Sequence, residues 1–153
     1  MIKCLPVSKS GLVFDRRGEV LWEIYLALLT VSPERELAKV HGVTWQKFVA
    51  WAKDSIVVGC EFDGRVAGGM VFKNGDVHLG INPTFRSRWL RYFRPMLAVG
   101  FALFGPRMTA RVGTENLNAR RFVEHVGCVR RGGNSVYIEY DVIQERMRYG
   151  RNR

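Results

Sequence analysis

The run Asp76-Val77-His78-Leu79-Gly80-Ile81 carries the two side chains best suited to moving a proton. Residues two apart in an extended strand point to the same side of a sheet, so Asp76 and His78 share a face. An imidazole near its unperturbed value of about 6.5 is a serviceable general base at neutral pH. The structural alternative for the pair is a carboxylate at a hairpin end beside a histidine satisfied within its strand. Tyr92, Tyr137 and Tyr140 qualify as proton donors by residue type only, and each also suits packing.

Directly after this run, an Asn82-Pro83 turn leads into Phe85-Arg86-Ser87-Arg88-Trp89-Leu90-Arg91, where three arginines crowd the start of a long segment with apolar periodicity. A strand feeding a helix leaves the first-turn N–H groups unpaired at the positive end of the helix dipole, which is chemistry that holds a phosphate. Arg86, Arg88 and Arg91 would add guanidinium contacts to phosphate oxygens. The other reading is a solvated basic face on a loop that holds no phosphate.

The elements that must position these groups follow from periodicity. Met1 to Val7 reads as a first strand and Ser8 to Gly18 as a loop. Val20, Leu21, Ile24, Tyr25, Leu28 and Leu29 recur at helical spacing from Glu19 to Thr30, and Glu34 to Val40 adds a further turn or two. Thr44 is placed to cap a helix from Trp45 to Lys53. Trp45 and Trp51 read as core or groove packing in preference to ligand stacking.

From Ser55 the period changes to that of strands. SIVVGCEF, RVAGGMVF and DVHLGI, separated by Asp63-Gly64 and Lys73-Asn74-Gly75, predict an antiparallel meander, with Gly68 and Gly69 marking a bulge or a close backbone approach. Trp89 to Phe104 predicts a helix whose aromatic stripe packs on the sheet, with Pro95 interrupting it. Arg107 to Val112 predicts a strand, and Asn116 to Val126 a helix ended by Gly127. Two closing strands, Cys128 to Arg131 and Ser135 to Val142, flank a Gly132-Gly133-Asn134 turn. The expected architecture is α/β, a mixed sheet covered by helices on both faces, in a single domain over residues 1–142 with a basic tail over 143–153.

The chain has 153 residues, 24 Lys and Arg against 14 Asp and Glu, and a formal charge of +10. That balance favours a phosphate-bearing partner such as a nucleotide cofactor, RNA or DNA, or else an acidic protein. Cys4, Cys60 and Cys128 form no CxxC pair, and His41, His78 and His125 stand at no metal-ligand spacing, so no disulfide framework and no metal site is expected. The opening MIKCLPVSKS has no apolar core of signal-peptide length, and no run approaches the roughly 20 residues that span a bilayer. A cytoplasmic setting with no membrane partner is the expectation.

TENLNARRFVEHVGC resembles a recurrent motif of the GNAT superfamily of N-acetyltransferases, with Asn116, Ala119, Phe122 and Gly127 on the pattern and Cys128 in place of the usual Phe. INPTFRSRWLRYFRPML is similar to the same family's strand-to-helix cofactor loop at Pro83, Phe85, Arg86 and Arg88, although Ser87, Trp89 and Arg91 stand where small residues are usual. The CEFDGRVAGGMVF hairpin also matches what the family shows before that strand, so the resemblance covers about residues 55–140. It implies a GNAT-like sheet with an antiparallel N-terminal meander and splayed parallel central strands, Asp76–Ile81 and Arg107–Val112. Acetyl-CoA or another acyl-CoA would lie there, contacted by Ile81, Arg86, Ser87, Arg88, Trp89, Leu90, Arg91, Asn116 and Phe122.

The implied reaction is acyl transfer to a small-molecule or protein amine, with Asp76 and His78 the candidates for the base. Many family members carry an acid Tyr seven residues after the motif Asn; Val123 stands there. The departures in the loop leave a second expectation open, a GNAT-fold protein that has lost CoA and catalysis. In this respect the chain looks like the GNAT-like proteins of tailed phages, with a structural or virion-morphogenesis role and an acidic protein or nucleic acid as partner. A third is an acetylating toxin acting on charged tRNA.

Overall fold

The computed structural model describes residues 10–30, 35, 39, 42–85 and 87–147. The predicted meander forms as β2 (Ile56–Phe62), β3 (Arg65–Lys73) and β4 (Asp76–Ile81), antiparallel in sequence, with Asp63 and Asn74 at positive φ in the two tight turns. The Ser8–Gly18 stretch departs from the expected loop: Gly11–Val13 is a strand, β1, paired antiparallel with β2. Three residues are too few to show a period, which is why the sequence hides it. The strand expected over 1–7, the extra helical turns over 34–40, and most of the basic tail lie outside the described residues.

Two helices, α1 (Arg17–Thr30) and α2 (Trp45–Ala52), precede the meander. Thr44 caps α2 as expected, its hydroxyl accepting from the Lys47 N–H at 3.2 Å. After β4 come a short helical turn at Pro83–Phe85, then α3 (Leu90–Phe104), β5 (Arg107–Gly113), α4 (Leu117–His125), β6 (Val129–Gly133) and β7 (Tyr137–Ile143). α3 runs through Pro95 at its sixth residue; position 95 has no N–H to give the Arg91 carbonyl one turn earlier. Gly127, at φ +104°, follows the end of α4.

The seven strands make one sheet in the order β1-β2-β3-β4-β5-β7-β6, with β4 and β5 as its parallel pair. Met70 and Phe72 pack with Met96, Leu97 and Phe101 of α3, whereas Val71 packs with Val20, Leu21 and Ile24 of α1. Alternate residues of β3 thus face different helices, and the sheet is covered on both faces as expected. β2 and β3 are buried almost throughout for that reason.

Register places Gly59 beside Gly69 and Gly69 beside Gly80, a row of glycines across three strands. It faces α1: a Cβ at Gly59 would meet Val20 at 2.4 Å, and one at Gly80 would meet the Ile24 Cα at 2.8 Å. The missing side chains let α1 lie against the sheet at backbone distance. Gly68, at φ +136° beside the register shift at Cys60/Glu61, is the expected bulge.

Candidate active site

β4 and β5 have six and seven residues but share one register pair, Asp76 with Thr109. The Thr109 N–H donates to the Gly75 carbonyl at 3.0 Å and its hydroxyl donates to the Asp76 carboxylate. Beyond this clasp the strands separate. β4 remains bound to β3 as far as Ile81, and β5 to β7 along its whole length.

A cavity of about 600 Å³ occupies the opening. On one side it is lined by Ile24 and Leu28 of α1 with Phe48 and Trp51 of α2, and on the other by Trp89 just before α3, Phe93 of α3 and Phe122 of α4. These walls belong to opposite faces of the sheet, so the hollow passes between the strands from one face to the other.

His78 faces the α1–α2 side, opposite Val71 in register. It lines the cavity, half-buried, with its ring edge-on to Trp51 at 4.8 Å. Trp51 is fixed in turn by Lys73, whose ammonium donates to the Trp51 carbonyl and lies 5.0 Å over the indole. Burial holds the imidazole below its ordinary value of 6.5; Asp76 opposes this, and Arg111 and Lys73 reinforce it. A proton acceptor on the cavity wall is therefore neutral at neutral pH. Asp76 does not line the cavity: it closes the base of the split and acts on His78 through its charge.

On the α3–α4 side, Trp89 meets Phe93 at 6.0 Å and Phe122 at 5.3 Å, and Phe93 meets Phe122 at 5.1 Å, all edge to face. These rings and Ile81 form an apolar slot. Asn116 does two things, lining the cavity and capping α4 by accepting from the Ala119 N–H at 3.3 Å. Ser87, Arg88, Leu90 and Arg91 are exposed at the start of α3, and Arg86 lies outside the described residues. Arg88 is turned towards the β2–β3 hairpin, 4.6 Å over Phe62 and 3.9 Å from Asp63. The Arg88, Leu90 and Tyr92 N–H groups donate to Phe85, Ser87 and Trp89 carbonyls within successive turns.

Of the tyrosines, Tyr137 lines the cavity, Tyr92 packs by Phe62, and Tyr140 is fully buried beneath α4 with its titration pushed up by burial. Cys128 also lines the cavity, and burial pushes its thiol up to about 12, so it carries little thiolate. Among the described residues no cluster of His, Cys, Asp and Glu could hold a metal ion, and no helix is long and apolar enough to cross a membrane.

Sequence reasoning missed Arg111 and underrated Trp51. The signal for Arg111 was present: Arg107, Thr109 and Arg111 alternate with Met108, Ala110 and Val112 along β5, which puts Arg111 on the His78 face of a strand next to the split. Trp51 needed tertiary information, because its partner His78 is 27 positions away.

A mixed sheet split at its parallel pair, with a helix starting beside the opening, defines the α/β fold of this chain. Solved acetyltransferase structures have this fold. yncA of Salmonella typhimurium, solved with acetyl-CoA, aligns with a TM-score of 0.60 at 13% identity, over 88% of this chain and 94% of that one. A GCN5-related N-acetyltransferase from Rhodopseudomonas palustris gives 0.58 at 14%, over 94% and 98%. The PaiA N-acetyltransferase of Thermoplasma acidophilum, in complex with coenzyme A, gives 0.63 at 12%, over 88% and 99%. No protein-family model and no curated protein matches the sequence.

Proposed function

We propose that this chain is an N-acyltransferase that uses acetyl-CoA or a related acyl-CoA and acts on an amine. The observation that carries the reading is the split between β4 and β5, clasped at Asp76–Thr109 and filled by a cavity with His78 on one wall. The apolar slot of Ile81, Trp89, Phe93 and Phe122 fits a pantetheine arm. Ser87, Arg91 and the exposed arginine-rich start of α3 supply the positive surface for its phosphates. Asn116 lines the same cavity, and Leu90 opens α3 next to Trp89.

Bound acyl-CoA supplies a thioester carbonyl: the amine nitrogen forms the N–C bond, the C–S bond breaks with its electron pair going to sulfur, and the nitrogen proton leaves. His78 takes that proton, and Asp76 steadies the resulting imidazolium. Trp51 and Phe48 exclude water and hold the acceptor against His78. The proton then passes to the departing thiolate, with the cavity-lining hydroxyl of Tyr137 to assist. Release of free thiol from acetyl-CoA that depends on added amine, and is lost in His78→Ala, tests the reading.

One observation favours a non-catalytic alternative, a GNAT-fold structural component that binds an acidic protein or nucleic acid. Arg88 is engaged with Asp63 and Phe62, and three N–H groups of the loop are already satisfied. Under that reading acetyl-CoA does not bind, so one titration separates the two.

A further inference from the structure

The acceptor half of the cavity has a composition that selects its amine. Ile24, Leu28, Phe48 and Trp51 make its wall apolar and aromatic, and among the described residues the lining contains no Asp or Glu. Among the described residues its one formally charged side chain is Arg111, on the same face of the sheet as His78.

Arg111 is held through Nε, 3.4 Å from a Glu139 carboxylate oxygen, with the Arg111 side chain largely exposed and that of Glu139 partly so. Among the described residues its terminal nitrogens make no hydrogen bond, so the guanidinium fork is open. It also borders a second, polar hollow of about 340 Å³ with Asn134, Tyr137 and Glu139, and Tyr137 is common to both spaces. An apolar chamber therefore adjoins a polar annex at an arginine, next to the proposed base.

We propose that the acceptor is a free amino acid with an aliphatic or aromatic side chain, acylated on its α-amine, with its carboxylate held by Arg111. The side chain fills the chamber formed by α1 and α2, the carboxylate meets the guanidinium fork at the annex, and the amine is left beside His78. A polyamine, or a lysine on a basic peptide, would bring a second positive charge towards Arg111 into a chamber whose described lining has no carboxylate, the annex's Glu139 being already paired with Arg111. The chain's charge of +10 adds to that repulsion. A simple alkylamine would fill the chamber but leave the fork unused. This inference rests on the acyltransferase reading above.

The test uses the full chain with acetyl-CoA and five amines: leucine and phenylalanine, their decarboxylated counterparts isoamylamine and phenethylamine, and spermidine. Thiol release and product mass give kcat/KM, and calorimetry gives acetyl-CoA affinity separately. Leucine and phenylalanine should exceed their decarboxylated counterparts by about tenfold to a hundredfold, the range of one hydrogen-bonded charge pair. Arg111→Ala should bring that ratio close to one, mainly through KM, with acetyl-CoA affinity unchanged, and Arg111→Lys should recover part of it. Because a ratio is read, an altered His78 titration in the variant affects both amines and cancels. Preference for spermidine or the alkylamines, a ratio that survives Arg111→Ala, or acetyl-CoA binding with no turnover of either amino acid overturns the inference. Absence of acetyl-CoA binding overturns the acyltransferase reading itself, and this one with it.

Discussion

In the proposed reaction, His78 is the residue that links chemistry to stability. Replacing it with Ala should lower kcat by about 10²–10⁴, the usual worth of a positioned base, and leave acetyl-CoA binding in place. In the wild type, kcat/KM should rise with pH through a value below 6.5, because burial disfavours the imidazolium. The same depression has a consequence for folding. Below pH 6.5 the unfolded chain binds a proton on this side chain that the folded chain resists. Its contribution to stability is therefore complete above pH 6.5 and is lost as pH falls through the lower folded value. Thermal unfolding followed against pH should show a shallower acid slope in His78→Gln than in the wild type. The sequence displayed His78 and Asp76 on one face, because strand alternation fixes that. It did not separate their roles, because which of them lines the cavity depends on where β5 leaves β4. Arg111 and Trp51 owe their places to the same long-range geometry.

At the scale of elements, the site exists because α1 lies close to the sheet and two strands part. The glycine row allows the first. Gly80→Ala would set a Cβ against the Ile24 backbone, which has no rotamer to yield, so α1 must move. The expected loss is about 1–3 kcal/mol, read from the urea midpoint, together with a raised KM for the acceptor, since Ile24 and Leu28 form its chamber. Much at this scale was legible. The meander, the Gly68 bulge, the Thr44 cap and the Asn116–Gly127 helix each carry a local signal in turn residues or period. β1 carries none, since three residues owe their extended form to β2. Pro95, expected to interrupt the helix, stands at the sixth residue of α3, early enough that it removes a hydrogen bond from a single turn. Trp89 stands where small residues are usual in such a loop and is also expected at the cofactor site; its indole forms one wall of the slot with Phe93 and Phe122.

At the scale of the whole molecule, the architecture follows from the order of elements, and the proposed activity from a gap within it. Composition supplied the charge of +10 but not its arrangement. The structure divides the arginines among partners: Arg16 on Glu61, Arg88 on Asp63, Arg107 and Arg131 on Asp141, Arg111 on Glu139. Part of the excess is therefore engaged with carboxylates of the sheet and its turns. What remains at the start of α3 is suited to phosphates, and its binding should weaken as salt screens it. The central claim is that the split between β4 and β5 receives acyl-CoA, and the direct measurement is a titration of the full chain with acetyl-CoA, read by calorimetry and by thermal unfolding. Saturable binding at one site is the predicted result, with about 4 kcal/mol of added stability at millimolar ligand for a micromolar Kd. No heat and no shift in Tm at millimolar acetyl-CoA would contradict the account.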